Sequence, residues 1–303
     1  MYEVLEVEER HQLEQLGTKE KFWFYDANTD EKRLCKLGRP KTGENWAEKV
    51  AYELAKLLDI PSAEYHLANW RGKQAVVSIP FLSNNERLVH GNEILGIIHK
   101  SYDKENAFRL KQYRLSTVIT LFEKSLSRIR LPRECKAFGV QEPVELFILY
   151  LMFDCWIGNQ DRHDQNWGLV LNNPQDGIYM APSFDHASSM ACRISDDERK
   201  NRLTTADVGY SIGVYAARAK TPFFSQDGKS RLKSLECFQL AITLAKKQKE
   251  SGEWLEKLVS IDVTSIEQVL AKVPLEFGMS DITVDFTVKY LEENKRRLLG
   301  VTS

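Results

Sequence analysis

The stretch "PVELFILYLMFDCWIGNQDRHDQNWGLVL", Pro143 to Leu171, decides how this chain is read. Its first half is apolar nearly all round, which marks a helix buried in a core. Pro143 suits a first helical turn and Gly158 a helix terminus. Immediately afterwards "NQDRHDQN" crowds two Asp, one His, one Arg and two Asn into eight residues. Polar groups set against a core must find partners or do chemistry.

Downstream, "WGLVL" alternates as a strand, "NNPQDG" is a turn, and "IYMAPSF" reads as a second strand ending at Asp185. Antiparallel pairing of this hairpin brings Asn166 and Asp185 together at its open end. Asp161 lies in the loop feeding the same end. Three oxygen-bearing side chains then converge beside a core helix, a donor set suited to Mg²⁺ shared with substrate phosphates. A D-x-x-x-x-N segment followed by a metal-binding Asp after a short hairpin follows the logic of phosphoryl transfer. An isolated D-x-x-x-x-N is more often a polar loop capping a helix. The buried helix, the hairpin and Asp185 are the additional constraints.

Residues Phe22 to about Leu82 read as mixed α/β. "KFWFYDA" and "KRLCKLG" form strands around the turn "NTDEK". "TGENWAEKVAYELAKLLDI" forms a helix with Ala47, Val50, Ala51, Leu54, Leu57 and Leu58 on one face, capped by Thr42 or Asn45 and closed by Pro61. "AEYHLANW" and "QAVVSIPFL" are two further strands. Lys36 stands among Leu34, Cys35 and Leu37, an odd site for a solvent-facing lysine. It calls for an acid on the following helix. Glu48, at the margin of the apolar face, is that partner, with Glu44 one turn earlier as the fallback. Ahead of the first strand, "EQLGTKEKFWF" offers Gly17 for close backbone approach and Thr18, Lys19 and Lys21 as donors to phosphate.

From about Asn92 helices dominate. "LECFQLAITLAKKQKE", "TSIEQVLAKV" and "TVDFTVKYLEENKRRLL" are all amphipathic. The expected architecture is α+β, with a small strand-rich lobe over 1–82, a larger helical lobe over 83–303 and a cleft between them. A length of 303 residues suits two such lobes. A net charge of −1 gives no general attraction to nucleic acid or anionic membranes. The longest apolar run, Leu146 to Phe153, falls far short of the ~20 residues that span a bilayer. The acidic N-terminus lacks the apolar core of a secretory signal. Five cysteines with no C-x-x-C pair fit reduced thiols in the cytoplasm, and no His or Cys falls at zinc spacing.

"LGTKEK", "CKLG", "AEKVAYELAKLLDIPSAE", "GNQDRHDQNWGLV" and "APSFDHAS" together resemble the HipA-like kinases, from about Gly17 to Met190. The D-R-H-x-x-N core also resembles the catalytic loop of phosphatidylinositol 3- and 4-kinases. The resemblance implies a two-lobed, atypical serine/threonine protein kinase using ATP and Mg²⁺. It makes Asp161 the catalytic base, Asn166 and Asp185 the metal ligands, and Lys36 the phosphate-binding lysine. His163 would orient the loop, and the backbone of "SIPFL", at Ile79 and Phe81, would read adenine. Three departures stand out. The chain begins almost at the phosphate loop, whereas the family's toxins carry an N-terminal subdomain, which weighs against an antitoxin-type partner. No Ser precedes the loop glycine. The metal Asp is followed by His186-Ala187 rather than Phe-Gly.

The substrate is expected to be a protein, with some transfer to the chain's own Thr18, the favoured site, or to Ser188 or Ser189. Alternatives are a phosphoinositide or small-molecule kinase on the same fold and a non-catalytic pseudokinase. Tyr215 to Lys233, basic with two adjacent aromatics, reads as a solvated loop, a membrane contact or a flexible activation segment.

Overall fold

The computed structural model describes residues 1–13, 19–83, 85–103, 110–124, 128–133, 135–172 and 177–300. The chain opens with β1 (Val4–Val7), β2 (Gln12–Leu13), β3 (Lys21–Tyr25), β4 (Lys32–Leu37), α1 (Glu44–Leu57), β5 (Tyr65–Trp70) and β6 (Lys73–Ser78). The six strands form one sheet in the order β1-β5-β6-β4-β3-β2, antiparallel except for β1 beside β5. The register pairs Phe22 with Cys35 and Cys35 with Val77. These residues, with Phe24, Leu37, Ala68, Trp70 and Ala75, close a small core on one face. Phe22 and Trp70 touch at 4.9 Å across two intervening strands, so the sheet curls. Side chains alternate along a strand. Lys36, paired with Lys21 and Val76, therefore faces the other way, toward α1.

Helix α1 begins at Glu44, two residues later than the pattern suggests, and its N-cap Gly43 lends no side chain. Neither expected cap serves. The Thr42 hydroxyl donates to the Arg39 carbonyl, and Asn45 Oδ1 accepts the Gly38 N–H, so both close the turn out of β4. The apolar face of α1, from Trp46 to Leu58, belongs to the same continuous core as the buried central helix, α4.

The second part contains β7 (Arg87–His90), α2 (Gly91–Ile98), α3 (Leu115–Lys124), β8 (Ile129–Arg130), α4 (Pro143–Ile157), β9 (Gly168–Leu171), β10 (Ile178–Met180), α5 (Asp196–Thr204), α6 (Ile212–Ala217), β11 (Lys220–Phe224), β12 (Arg231–Lys233), α7 (Ser234–Ala245), α8 (Gln248–Val259), α9 (Val263–Leu270) and α10 (Asp281–Leu299). The arrangement is the expected α+β one, a sheet-containing lobe followed by a mainly helical one. All 15 residues of α4 are buried. β9 and β10 pair as a hairpin, Val170 opposite Tyr179. β10 stops at Met180 rather than running to Phe184. Pro182 has no N–H to give a ladder, and Ser183 instead pairs with the segment after α1, giving its N–H to Pro61 and accepting from Ala63.

Two other expectations are corrected. The helix read over 235–250 divides into α7 and α8 at Lys246, which adopts a left-handed φ of 55°. The segment 215–233 is neither a solvated loop nor a free aromatic patch. It finishes α6 and forms the β11–β12 hairpin, with Thr221 and Phe223 buried and Phe223 stacked on Tyr113 at 4.2 Å. Among the described residues no helix is long and apolar enough to cross a membrane.

Candidate active site

Asp154 lies buried in the last turn of α4, a mainly apolar helix whose other acid, Glu145, sits in the first turn. Its partner is Arg162, whose Nε and Nη2 each donate to the carboxylate at 2.7 Å. Asn159 Nδ2 adds a third bond at 2.8 Å. Arg162 Nη1 also holds the Asn166 carbonyl at 2.8 Å, and Nη2 holds Ser183 Oγ at 2.8 Å. One buried guanidinium thus fixes both ends of the loop and the strand leading to Asp185. Gly158 makes the sharp exit from the helix. It sits at φ 66°, and a Cβ there would lie 2.2 Å from the Tyr290 hydroxyl.

On this frame Asp161 remains 40% exposed. Asn166 is buried, and its Nδ2 donates to the Asp161 carbonyl at 2.6 Å, which leaves the acceptor end of the amide for another group. His163 Nδ1 accepts the Gln165 N–H at 3.2 Å, so the ring proton belongs on Nε2, 3.8 Å from Asp161 Oδ1. That separation is electrostatic contact, too long for a hydrogen bond. Ser188 Oγ donates to Asp161 Oδ2 at 3.4 Å.

Lys36 is the centre of a second cluster. Its Nζ lies 3.3 Å from Glu48 Oε1, 3.4 Å from the Tyr65 hydroxyl and 3.9 Å from Asp185 Oδ1. Burial opposes the ammonium charge, but Asp185, Tyr65 and Glu48 outweigh it and raise the Lys36 pKa well above its ordinary value. Asp185 is likewise desolvated, yet Lys36, Lys19 and Lys21 hold its carboxyl far below the usual range. Burial pushes Glu48 up, while Lys36 and the His186 N–H, 2.6 Å from Oε2, pull it back. Asp185 sits at φ 60°, a conformation that Asp tolerates better than most residues, and its N–H donates to the Tyr65 hydroxyl at 3.1 Å. Burial and the nearby Arg162 keep the His186 imidazole neutral, packed edge-on against Phe153.

The fallback acid is excluded by geometry. Glu44 does not meet Lys36. Its buried carboxylate gathers Lys19 at 3.2 Å, Arg39 at 2.7 Å and Arg193 at 3.0 Å. Lys21 flanks Lys36 across the β3–β4 ladder. Gly17 and Thr18 lie outside the described residues. Ile79 gives its N–H to the Glu64 carbonyl, so its remaining backbone group toward a base is the carbonyl. Ile79 and Phe81 border a cavity of about 460 Å³ that also contacts Ala63, Val170 and Tyr179, and none of Lys36, Asn166 and Asp185 lines it.

The sequence reading left Tyr65, Arg162, Asp154, Arg193 and Glu44's actual role unassigned. Asp154 was detectable, because an acid inside an apolar helix requires a cation nearby. Tyr65 and Arg193 are placed in the site by contacts with Asp185 and Glu44, 120 and 149 residues away, which no local pattern announces.

A family model described as the HipA-like C-terminal domain matches residues 14–233. The chain belongs to the HipA-like family. No curated protein matches the sequence. Among solved structures, the HipA-like fold is shared with the Helicobacter pylori proinflammatory kinase CtkA, at a TM-score of 0.72 and 18% identity over 99% of this chain and 97% of that one. It is also shared with HipA of Shewanella oneidensis MR-1, solved with HipB and operator DNA, at 0.58 and 14% identity over 95% of this chain and 66% of that one. The family gives this HipA-like chain a kinase-like function.

The donor set fits the cofactors such a function implies. Asp185 is held ionised by surrounding lysines, and Asn166 keeps an acceptor oxygen, the hard ligands Mg²⁺ prefers. Among the described residues no group of three or more His, Cys, Asp or Glu side chains is placed to hold a metal.

Proposed function

We propose that this HipA-like chain is a protein serine/threonine kinase that transfers the γ-phosphoryl group of ATP, with Mg²⁺, and in part modifies itself. The nucleotide would lie between residues 1–82 and 83–303, its base against the Ile79 carbonyl and the Phe81 backbone. Lys36, Lys19 and Lys21 would meet the phosphates, and Asn166 and Asp185 would hold Mg²⁺, which would supply charge neutralisation for the transfer. Asp161 accepts the proton of the attacking hydroxyl. The hydroxyl oxygen bonds to the γ-phosphorus, the bond from that phosphorus to the ADP oxygen breaks, and ADP leaves with the electron pair.

The observation that carries this reading is the Lys36–Glu48–Asp185–Tyr65 cluster, an ammonium positioned by two acids and a phenol on the sheet face toward α1. Of the candidate self-modification sites, Ser188 is the one beside Asp161. Ser189 is fully buried, and Thr18 lies outside the described residues. Five free cysteines support a cytoplasmic location.

Calorimetry tests the division of roles. Asp161→Ala should abolish phosphorylation of lysate proteins while leaving Mg-ATP affinity within about threefold. Asp185→Ala should lose both, because it removes a metal ligand. Equal loss of Mg-ATP affinity in the two variants defeats the assignment. Label on phosphoinositide vesicles but on no protein replaces the protein-kinase reading with a lipid-kinase one.

A further inference from the structure

The surface around Asp161 is lopsided in charge. On one side stands Glu44, 1% exposed, ringed by Lys19, Arg39 and Arg193, three cations to one carboxylate. Lys19 belongs with the nucleotide phosphates. Arg39 and Arg193 are 44% and 51% exposed at the rim. Arg193 is linked to Asp161 through Ser188. Its Nη2 donates to Ser188 Oγ at 2.8 Å, and Ser188 Oγ lies 3.4 Å from Asp161 Oδ2.

On the other side is the basic segment that the sequence left without a role. β11 begins beside the catalytic loop, where the Lys220 N–H approaches Gln160 Oε1 at 3.5 Å. Lys220 pairs across the hairpin with Lys233, and both side chains are exposed. Glu236 reaches Lys233 only at 3.8 Å between half-exposed side chains, a contact too weak to neutralise it. The acidic start of α5 is partly spent, Asp196 on Arg199, Ser280 and Thr283.

We infer that the acceptor is a Ser or Thr flanked by acidic residues on its polypeptide, read on one side by Arg193 and on the other by Lys220 and Lys233. This rests on the kinase reading above and names its substrate class. Through Ser188 Oγ, Arg193 lies within a Debye length, about 8 Å at physiological salt, of Asp161, and β11 with its lysines starts beside the catalytic loop. Carboxylates there meet preformed positive charge, and lysines there meet like charge, so the same rim attracts one substrate and rejects the other. The guanidinium of Arg193 is already held by Glu44, so little ordering is needed when an acid arrives.

The test uses three synthetic peptides that differ only in the residues flanking one Ser: Asp, Ala or Lys. Binding is measured by fluorescence anisotropy on the full chain carrying Asp161→Asn with Mg-ADP, and phosphorylation on the unaltered protein with Mg-ATP. The Asp peptide should bind and react at least about tenfold better than the Lys peptide at low salt, and the gap should narrow by 0.5 M NaCl. Arg193→Glu, and separately Lys220→Glu with Lys233→Glu, should each reduce the Asp-to-Lys ratio at least fivefold, two sites guarding against one variant that misfolds. Equal use of the peptides, or preference for Lys, overturns the inference and leaves the kinase reading intact. Selective binding of the Asp peptide without phosphate transfer sustains the acidic surface and defeats the kinase reading. Neither binding nor transfer, with phosphoinositide vesicles labelled instead, overturns both.

Discussion

Arg162 and Lys36 are both buried cations with carboxylate partners, and they are held in opposite ways. Arg162 makes contacts of 2.7 to 2.8 Å to Asp154, Asn166 and Ser183, all within the protein. Lys36 reaches its three partners only at 3.3 to 3.9 Å, and one of them, Asp185, is 32% exposed. A planar guanidinium fork suits permanent bidentate pairing, whereas an ammonium is a mobile point charge. The first cluster is closed and shapes the loop. The second is held loosely, so its ammonium can exchange part of its contact with Asp185 and Tyr65 for a phosphate. The difference teaches that burial and charge do not by themselves mark a reactive group. Slack in the geometry, together with an opening, does.

The contrast breaks most easily at Arg162. Arg162→Met leaves Asp154 buried without a counter-ion and should destabilise the fold by about 3–5 kcal/mol in urea unfolding. A loss below ~1 kcal/mol would mean that this cluster is not the frame. Next comes Lys36→Met, which should cut kcat/KM at least about a hundredfold, roughly 2.7 kcal/mol, with a smaller stability loss than Arg162→Met because Glu48 can take up a proton. Combined with Glu48→Gln it should lose little beyond the worse single variant, since the two act as a unit. Multiplying effects would separate them. Tyr65→Phe sharpens the comparison further. It removes the hydroxyl shared by Lys36 and the Asp185 N–H and should lower kcat/KM by about fivefold, near 1 kcal/mol.

The smallest effect belongs to an exposed pair outside both clusters. Burial slightly opposes the Asp196 charge, but hydrogen bonds from Ser280, Arg199 and Thr283 outweigh it and lower the pKa. A depressed folded-state pKa stabilises the protein above the unfolded value, about 3.9, and that contribution is lost as pH falls through the folded value. Asp196→Asn should therefore cost less than ~1 kcal/mol at pH 7 and less again at pH 2, read from urea midpoints at the two pH values.

What the sequence disclosed follows the same division. The α4 helix, the loop and the β9–β10 hairpin were legible because their signals are local: uniform apolarity, a Gly exit, and alternation around a turn. Lys36 and Glu48 were legible as a lysine out of place on a strand and an acid at the edge of a helical face. Glu44 was the fallback, and at the first residue of α1 it meets Lys19, Arg39 and Arg193 instead. The 215–233 hairpin was missed because charge masked its period of two, in which Thr221 and Phe223 point inward. The contacts of Tyr65 and Arg193 depend on chain crossings that no local pattern encodes.

Helix α1 carries a consequence for control. Positioning of the helix that bears the lysine's partner acid is a common way to switch kinases on and off. Here that helix is not a hinged shutter. Trp46, Ala47, Val50, Ala51 and Leu54 are set into the same apolar core as α4, and the carboxylate of Glu48 is latched to the backbone of His186. Swinging α1 away would require unzipping the largest core in the molecule. Under the function proposed above, a protein built this way is armed as soon as it folds, and restraint acts on what reaches the cleft.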